Sequence, residues 1–60
     1  MKEWQRRYAV EVDYYWQKDD KILTIIKKRD WVVEVNAEQI GSAKTYEDAK
    51  EIAYKYMSEN

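Results

Sequence analysis

From Trp4 to Trp16 every second position except Arg6 is large and apolar. Tyr8, Val10, Val12, Tyr14 and Trp16 share one phase, and Ala9, Glu11, Asp13, Tyr15 and Gln17 alternate with them. A repeat of two puts alternate side chains on opposite faces of an extended chain, so the pattern predicts a long first strand over residues 5–17 with one buried face. With no proline and a single glycine, Gly41, the turns have to be placed from polar clusters. Gln17 to Asp20, Lys27 to Asp30 and Asn36 to Gln39 separate the apolar runs, which places strands over 21–27, 31–36 and, on a weaker pattern, 39–44.

The period then changes. Thr45 followed by Tyr46, Glu47 and Asp48 fits a capping box, in which the Thr hydroxyl accepts from a free backbone N–H and the acid three residues on reaches back. Tyr46, Ala49, Ile52, Ala53, Tyr56 and Met57 recur at steps of three and four and line one face of a helix. Glu51 and Lys55 form an i, i+4 pair on the other side. The predicted fold is α+β: an antiparallel meander of three to four strands with one C-terminal helix on one face, a single βββ(β)α domain over residues 1–60.

Loop lengths that keep the apolar phases together set the expected register. A first hairpin pairs Trp16 with Lys21, Tyr14 with Leu23 and Val12 with Ile25. A three-residue loop at Lys28, Arg29 and Asp30 pairs Ile25 with Val33 and Leu23 with Val35, with Asp30 in the left-handed conformation. The helix side of the sheet then holds Tyr8, Val10, Val12, Tyr14, Leu23, Ile25, Trp31, Val33 and Val35. On the reverse lie Glu11, Asp13, Tyr15, Ile22, Thr24, Ile26, Val32 and Glu34, with Tyr15 beside Ile22 and Ile26 opposite Glu11. Of these, Glu11, Asp13, Tyr15, Ile22, Ile26, Val32 and Glu34 make the candidate protein-binding surface, a mixed apolar and acidic patch that no remaining segment covers.

Composition narrows the chemistry. The core must draw on three Trp and six Tyr with no Phe, because a domain of 60 residues hides only about 60% of the surface its unfolded chain exposes. The absence of cysteine and histidine removes disulfides, a thiolate nucleophile and the commonest metal ligand and general base. No carboxylate or Lys/Tyr constellation suggests a reaction, so no enzyme activity, metal, cofactor or small-molecule substrate is expected. Asp13, Asp19 and Asp20 lack the spacing of a calcium loop and read as polar turns.

Eleven basic residues face twelve acidic ones, with the basic excess in the first half. Arg6, Arg7, Lys27, Lys28 and Arg29 could contact phosphates, which makes a sheet-type nucleic-acid binder the alternative reading, although Glu11, Asp13 and Asp30 stand close to them. No apolar run reaches the roughly 18 residues of a membrane span and no signal-peptide pattern opens the chain, so a cytoplasmic protein without membrane contact is expected.

The stretch from Trp31 to Tyr56 carries a Trp-led strand, a turn, Ile40 and Ala43, then Thr45-Tyr46-Glu47-Asp48-Ala49-Lys50 and Ile52-Ala53. It resembles the end of three-stranded-sheet-plus-helix domains of the phage integrase arm-binding and plant ethylene-response DNA-binding type. The resemblance covers under half the chain and implies a sheet that lies in the DNA major groove and presents arginines. Here Glu11, Asp13 and Glu34 stand on the expected outer face instead. Short phage and mobile-element proteins share the layout and act on host proteins. The expectation is therefore an accessory protein of that kind, which inhibits or modulates a host protein, or pairs with a second copy, through its open sheet face.

Overall fold

The computed structural model describes residues 3–60. Five strands, β1 (Gln5–Arg7), β2 (Tyr14–Lys18), β3 (Lys21–Lys27), β4 (Trp31–Val35) and β5 (Glu38–Ala43), precede one helix, α1 (Tyr46–Glu59). They form a single antiparallel sheet in the order β1-β2-β3-β4-β5, so each strand pairs with its sequence neighbour. The α+β class with one C-terminal helix stands, and the strand number is five rather than three to four.

The extra strand comes from the first alternating run. It is not one strand over 5–17 but a hairpin: β1 folds back on β2 with Gln5 opposite Gln17, Arg6 opposite Trp16 and Arg7 opposite Tyr15. The connection from Tyr8 to Asp13 leaves the sheet. Tyr8 (84% exposed) and Val10 (99%) are therefore solvent-facing and Val12 only half-buried, where the alternation places all three in the core. Period-two patterning specifies which residues share a face but not whether the strand runs straight or doubles back.

The β2–β3 turn is a two-residue loop at Asp19 and Asp20. It pairs Trp16 with Leu23 and Tyr14 with Ile25, two residues away from the expected register. A slip of two preserves every side chain's face, so Leu23 and Ile25 still point to the core. The β3–β4 register is as expected, with Leu23 opposite Val35 and Ile25 opposite Val33. The left-handed residues are Asp19, Asn36 and Ala37, and Asp30 is not among them. Positive φ at both Asn36 and Ala37 matches the primed two-residue turn whose twist suits a hairpin. Asn36 is also stitched to β3: its N–H donates to the Ile22 carbonyl at 2.8 Å and its Oδ1 accepts from the Ile22 N–H at 2.9 Å.

Helix α1 begins where the cap predicts. Thr45 is extended (φ −124°, ψ 155°) and its Oγ1 accepts from the Asp48 N–H at 3.2 Å, with Glu47 and Asp48 in the first turn at the positive end of the helix dipole. Ala49, Ala53 and Met57, four residues apart, are buried against the sheet. Together with Trp4, Trp16, Leu23, Ile25, Val33 and Val35 they form the core. Rings close both ends of the helix–sheet seam. Tyr14 stacks on Tyr46 at 4.2 Å with Trp31 beside them, while Trp4 and Trp16 meet Tyr56 and Tyr54 edge-on at 6.0 Å each. The last turn of α1 has no basic residue, and Lys18 of β2 fills that role. Its Nζ donates to the Asn60 backbone oxygen and pairs with Glu3 at 3.1 Å.

Candidate functional site

Because α1 covers one face of the sheet, the other face is open among the described residues. Alternation from the core positions puts Tyr15 of β2, Ile22, Thr24 and Ile26 of β3, and Val32 and Glu34 of β4 on it. Tyr15 stands opposite Thr24, not Ile22, so its ring lies diagonal to both Ile22 and Ile26 on the neighbouring strand. Ile26 faces Val32 directly. Four of the expected apolar residues are thus gathered on one face.

Val32 is a correction within that group. It is only 8% exposed although no element lies over it, so it belongs to the floor of the patch and not to its accessible part. Its position explains this: β4 is flanked by β3 and β5, Ile26 and Ser42 stand on either side, and the Lys28 Nζ to Glu34 Oε2 pair at 3.5 Å spans the same stretch of β4. Glu34 keeps only 19% of its side chain exposed in that pair, so its charge is partly neutralised within the sheet.

Glu11 and Asp13 are the second correction. Both lie in the Tyr8–Asp13 connection, and Glu11 does not stand opposite Ile26. Asp13 acts locally instead. Its Oδ2 accepts from the Lys27 N–H at 2.7 Å, which satisfies the β3 donor left over where β2 has ended.

One residue of the surface is not apparent from the alternation. The β4–β5 ladder steps from Val33 opposite Gly41 to Glu34 opposite Gln39, so Ile40 is an inserted, unpaired residue of a β-bulge. Gly41 faces α1, where a Cβ would come within 3.1 Å of Ile52 Cγ2. Its neighbour Ile40 therefore points outward, 39% exposed, and widens the apolar stripe across β5. The signal available in the sequence is the single glycine, which marks where β5 approaches the helix and so fixes the phase of its neighbours.

The five basic candidates do not converge. Arg6 shares the phase of Trp16 and lies on the helix side, its guanidinium carbon 4.6, 5.2 and 5.1 Å from the ring centres of Tyr8, Tyr14 and Trp16. Arg7 has the opposite phase, opposite Tyr15. Lys27 turns its Nζ onto the Lys28 and Arg29 carbonyls at 3.2 Å each, Lys28 pairs with Glu34, and Arg29 is exposed at the turn. Arg6 and Arg7 stand level with Leu23 and Thr24, midway along β3, whereas Lys27 to Arg29 lie at the β3–β4 turn, and the set is divided between the two faces.

At the opposite end a groove of about 290 Å³ runs between Glu3, Trp4 and Lys18 and the end of α1 at Met57 to Asn60. The Trp4 Nε1 is buried there without a hydrogen-bond partner. Among the described residues no three His, Cys, Asp or Glu side chains gather as a metal site would require, and no helix is long and apolar enough to cross a membrane. Comparison with protein-family models, curated proteins and solved structures finds no match to this chain.

Proposed function

We propose that this chain is a non-enzymatic protein-binding module that engages a partner protein through the open face of its sheet. The observation that carries this reading is the outward apolar stripe of Tyr15, Ile22, Ile26 and Ile40 over a floor of Val32, which runs across β2 to β5 with no element of the described chain above it. Single exposed apolar residues are ordinary, but a contiguous set on a rigid, twisted sheet is the form of an interaction surface. The partner would present a broad apolar surface of its own, since Glu34 is paired with Lys28 and Asp13 is bonded to the Lys27 N–H, with Arg7, opposite Tyr15, as the charge at the β1 edge of the stripe.

The test compares wild type with Tyr15→Ala and Ile26→Asp as baits in a lysate of the source organism, after circular dichroism has shown all three folded. Proteins retained by wild type and lost with either variant support the reading, and a hot-spot residue would weaken affinity by about 2 kcal/mol or more. Capture that is the same for all three baits removes the sheet face as the interface.

A further inference from the structure

The Tyr8–Asp13 connection departs from what its sequence favours. It contains no glycine, proline or asparagine, it alternates Tyr8, Val10 and Val12 with Ala9, Glu11 and Asp13, and it leaves Tyr8 84% and Val10 99% exposed. That is strand chemistry in a loop, and such a segment is a hinge that favours an extended form. Opening it would turn β1 and β2 into one strand over residues 5–18 and release β1 from its own sheet, vacating the edge of β2.

The register shows what would fill that edge. In β1–β2 the paired residue numbers sum to 22 throughout: 5 with 17, 6 with 16 and 7 with 15. Two copies that exchange their β1 segments would keep that sum, because each β1 would dock on the other copy's β2 in the same contacts. The ladder would then continue through both hinges without a gap. Tyr8 would pair with Tyr14 of the second copy, Ala9 with Asp13, Val10 with Val12, and Glu11 with its own counterpart on the two-fold axis. The even positions fall on the helix side with Trp16, so Tyr8 and Val10, the most exposed large apolar residues of the closed form, would gain cross-strand neighbours.

We propose that the chain forms a strand-exchanged homodimer, in which the segment around β1 docks on a second copy and the Tyr8–Asp13 hinges pair antiparallel across the two-fold at Glu11. Trp4, 6% exposed and edge-on to Tyr56, is the anchor each copy would hand to the other, and its contacts are the same in both forms. Exchange of an identical element therefore re-forms the β1–β2 and Trp4 contacts in full and adds the hinge ladder, so that only contacts of the connection itself, such as Asp13 Oδ2 with the Lys27 N–H, are rearranged. The interface is independent of the outer sheet stripe, so the two readings fail separately.

The experiment is size-exclusion chromatography with light scattering on the full chain, refolded from denaturant at micromolar and at near-millimolar concentration. The expected result is a species of twice the 7.4 kDa chain mass that grows with refolding concentration and persists on dilution, since reversal requires β1 to be unpaired. Glu11→Gln removes the like-charge pair at the axis and should raise the dimer constant on the order of twofold to fivefold. Val10→Asn combined with Glu11→Gly supplies a tight-turn tip and should hold the chain as a monomer. Ile26→Asp, on the outer face, should leave the dimer unchanged. A chain that is monomeric at near-millimolar concentration both as wild type and as Glu11→Gln overturns the proposal. So does a dimer that survives the Asn-Gly tip and is dissolved by Ile26→Asp, which would assign association to the sheet face.

Discussion

Arg6 stands opposite Trp16 across the β1–β2 ladder and holds its guanidinium carbon 5.1 Å from the centre of that indole's ring system. It is the one polar residue in the apolar phase of the first run, and it acts there as a lid: its stem covers aromatic surface, its planar head lies against Tyr8, Tyr14 and Trp16, and its Nη1 donates to the Tyr15 carbonyl at 3.2 Å. Arg6→Ala should destabilise the fold by about 1 to 2 kcal/mol in urea melts. Arg6→Lys should recover only part of that, because an ammonium keeps the charge but loses the flat stacking surface. Equal stability of Arg6→Ala and wild type would show that the rings hold without it.

Ala37 occupies the left-handed region at φ 70° in the turn between β4 and β5. A side chain with a Cβ costs roughly 1 to 2 kcal/mol there, against a smaller gain in unfolded-chain entropy when glycine replaces it. Ala37→Gly should therefore stabilise the domain by about 0.5 to 1 kcal/mol, read as a higher urea midpoint at unchanged slope. Its neighbour Asn36 sits at φ 50° and is held to Ile22 by two hydrogen bonds, so Asn36→Ala should have the opposite sign. A loss of stability in Ala37→Gly would mean that this turn is not left-handed at residue 37.

The turns also separate the legible part of the chain from the rest. From Lys21 onward the fold can be read almost residue by residue: the β3–β4 register, the inward Leu23, Ile25, Val33 and Val35, the Thr45 cap and the buried stripe of α1 all follow from periodicity and capping chemistry. The first sixteen residues escape such a reading because alternation is blind to reversal. Trp4 and Trp16 share a phase whether they lie at two ends of one strand or on two paired strands, and the loop between them lacks the Gly or Asn that announces a turn. The site follows the same division. Tyr15, Ile22 and Ile26 lie on the face that their phase predicts. Glu11 and Asp13 leave the surface together with the strand expected to carry them. Ile40 is set by a bulge, which no period reveals.

Gly41 sets how closely the helix can lie on the sheet edge. A Cβ at this position would meet Ile52 Cγ2 at 3.1 Å and Cδ1 at 3.3 Å, tighter than ordinary van der Waals contact. Gly41→Val should cost about 1 to 3 kcal/mol by overpacking that seam. In a double-mutant cycle with Ile52→Ala the combined loss should fall short of the sum of the two single losses, because the truncated side chain yields the space the valine needs. Strict additivity would mean that Gly41 matters for strand conformation and not for the approach of the helix.

Tyr46 is the group through which alkaline pH should act. Its burial, followed by the nearby Tyr14 phenol, raises its pKa above the ordinary tyrosine value of 10.0, with Lys50 pulling the other way. The folded protein therefore keeps this proton at a pH where the unfolded chain has begun to lose it. The unfolded state then binds fewer protons, and unfolding becomes more favourable as pH rises. The contribution is fully present below 10.0 and is lost as pH climbs through the higher folded value. Urea midpoints of wild type should fall from neutral pH to above 10.0, and those of Tyr46→Phe should fall less, since phenylalanine keeps the ring against Tyr14 and Trp31 without a proton to lose. The absorbance titration of the tyrosinates should lose a component that ionises above the ordinary tyrosine value in the same variant. Identical pH dependence in the two proteins would place the alkaline sensitivity elsewhere in the aromatic cluster.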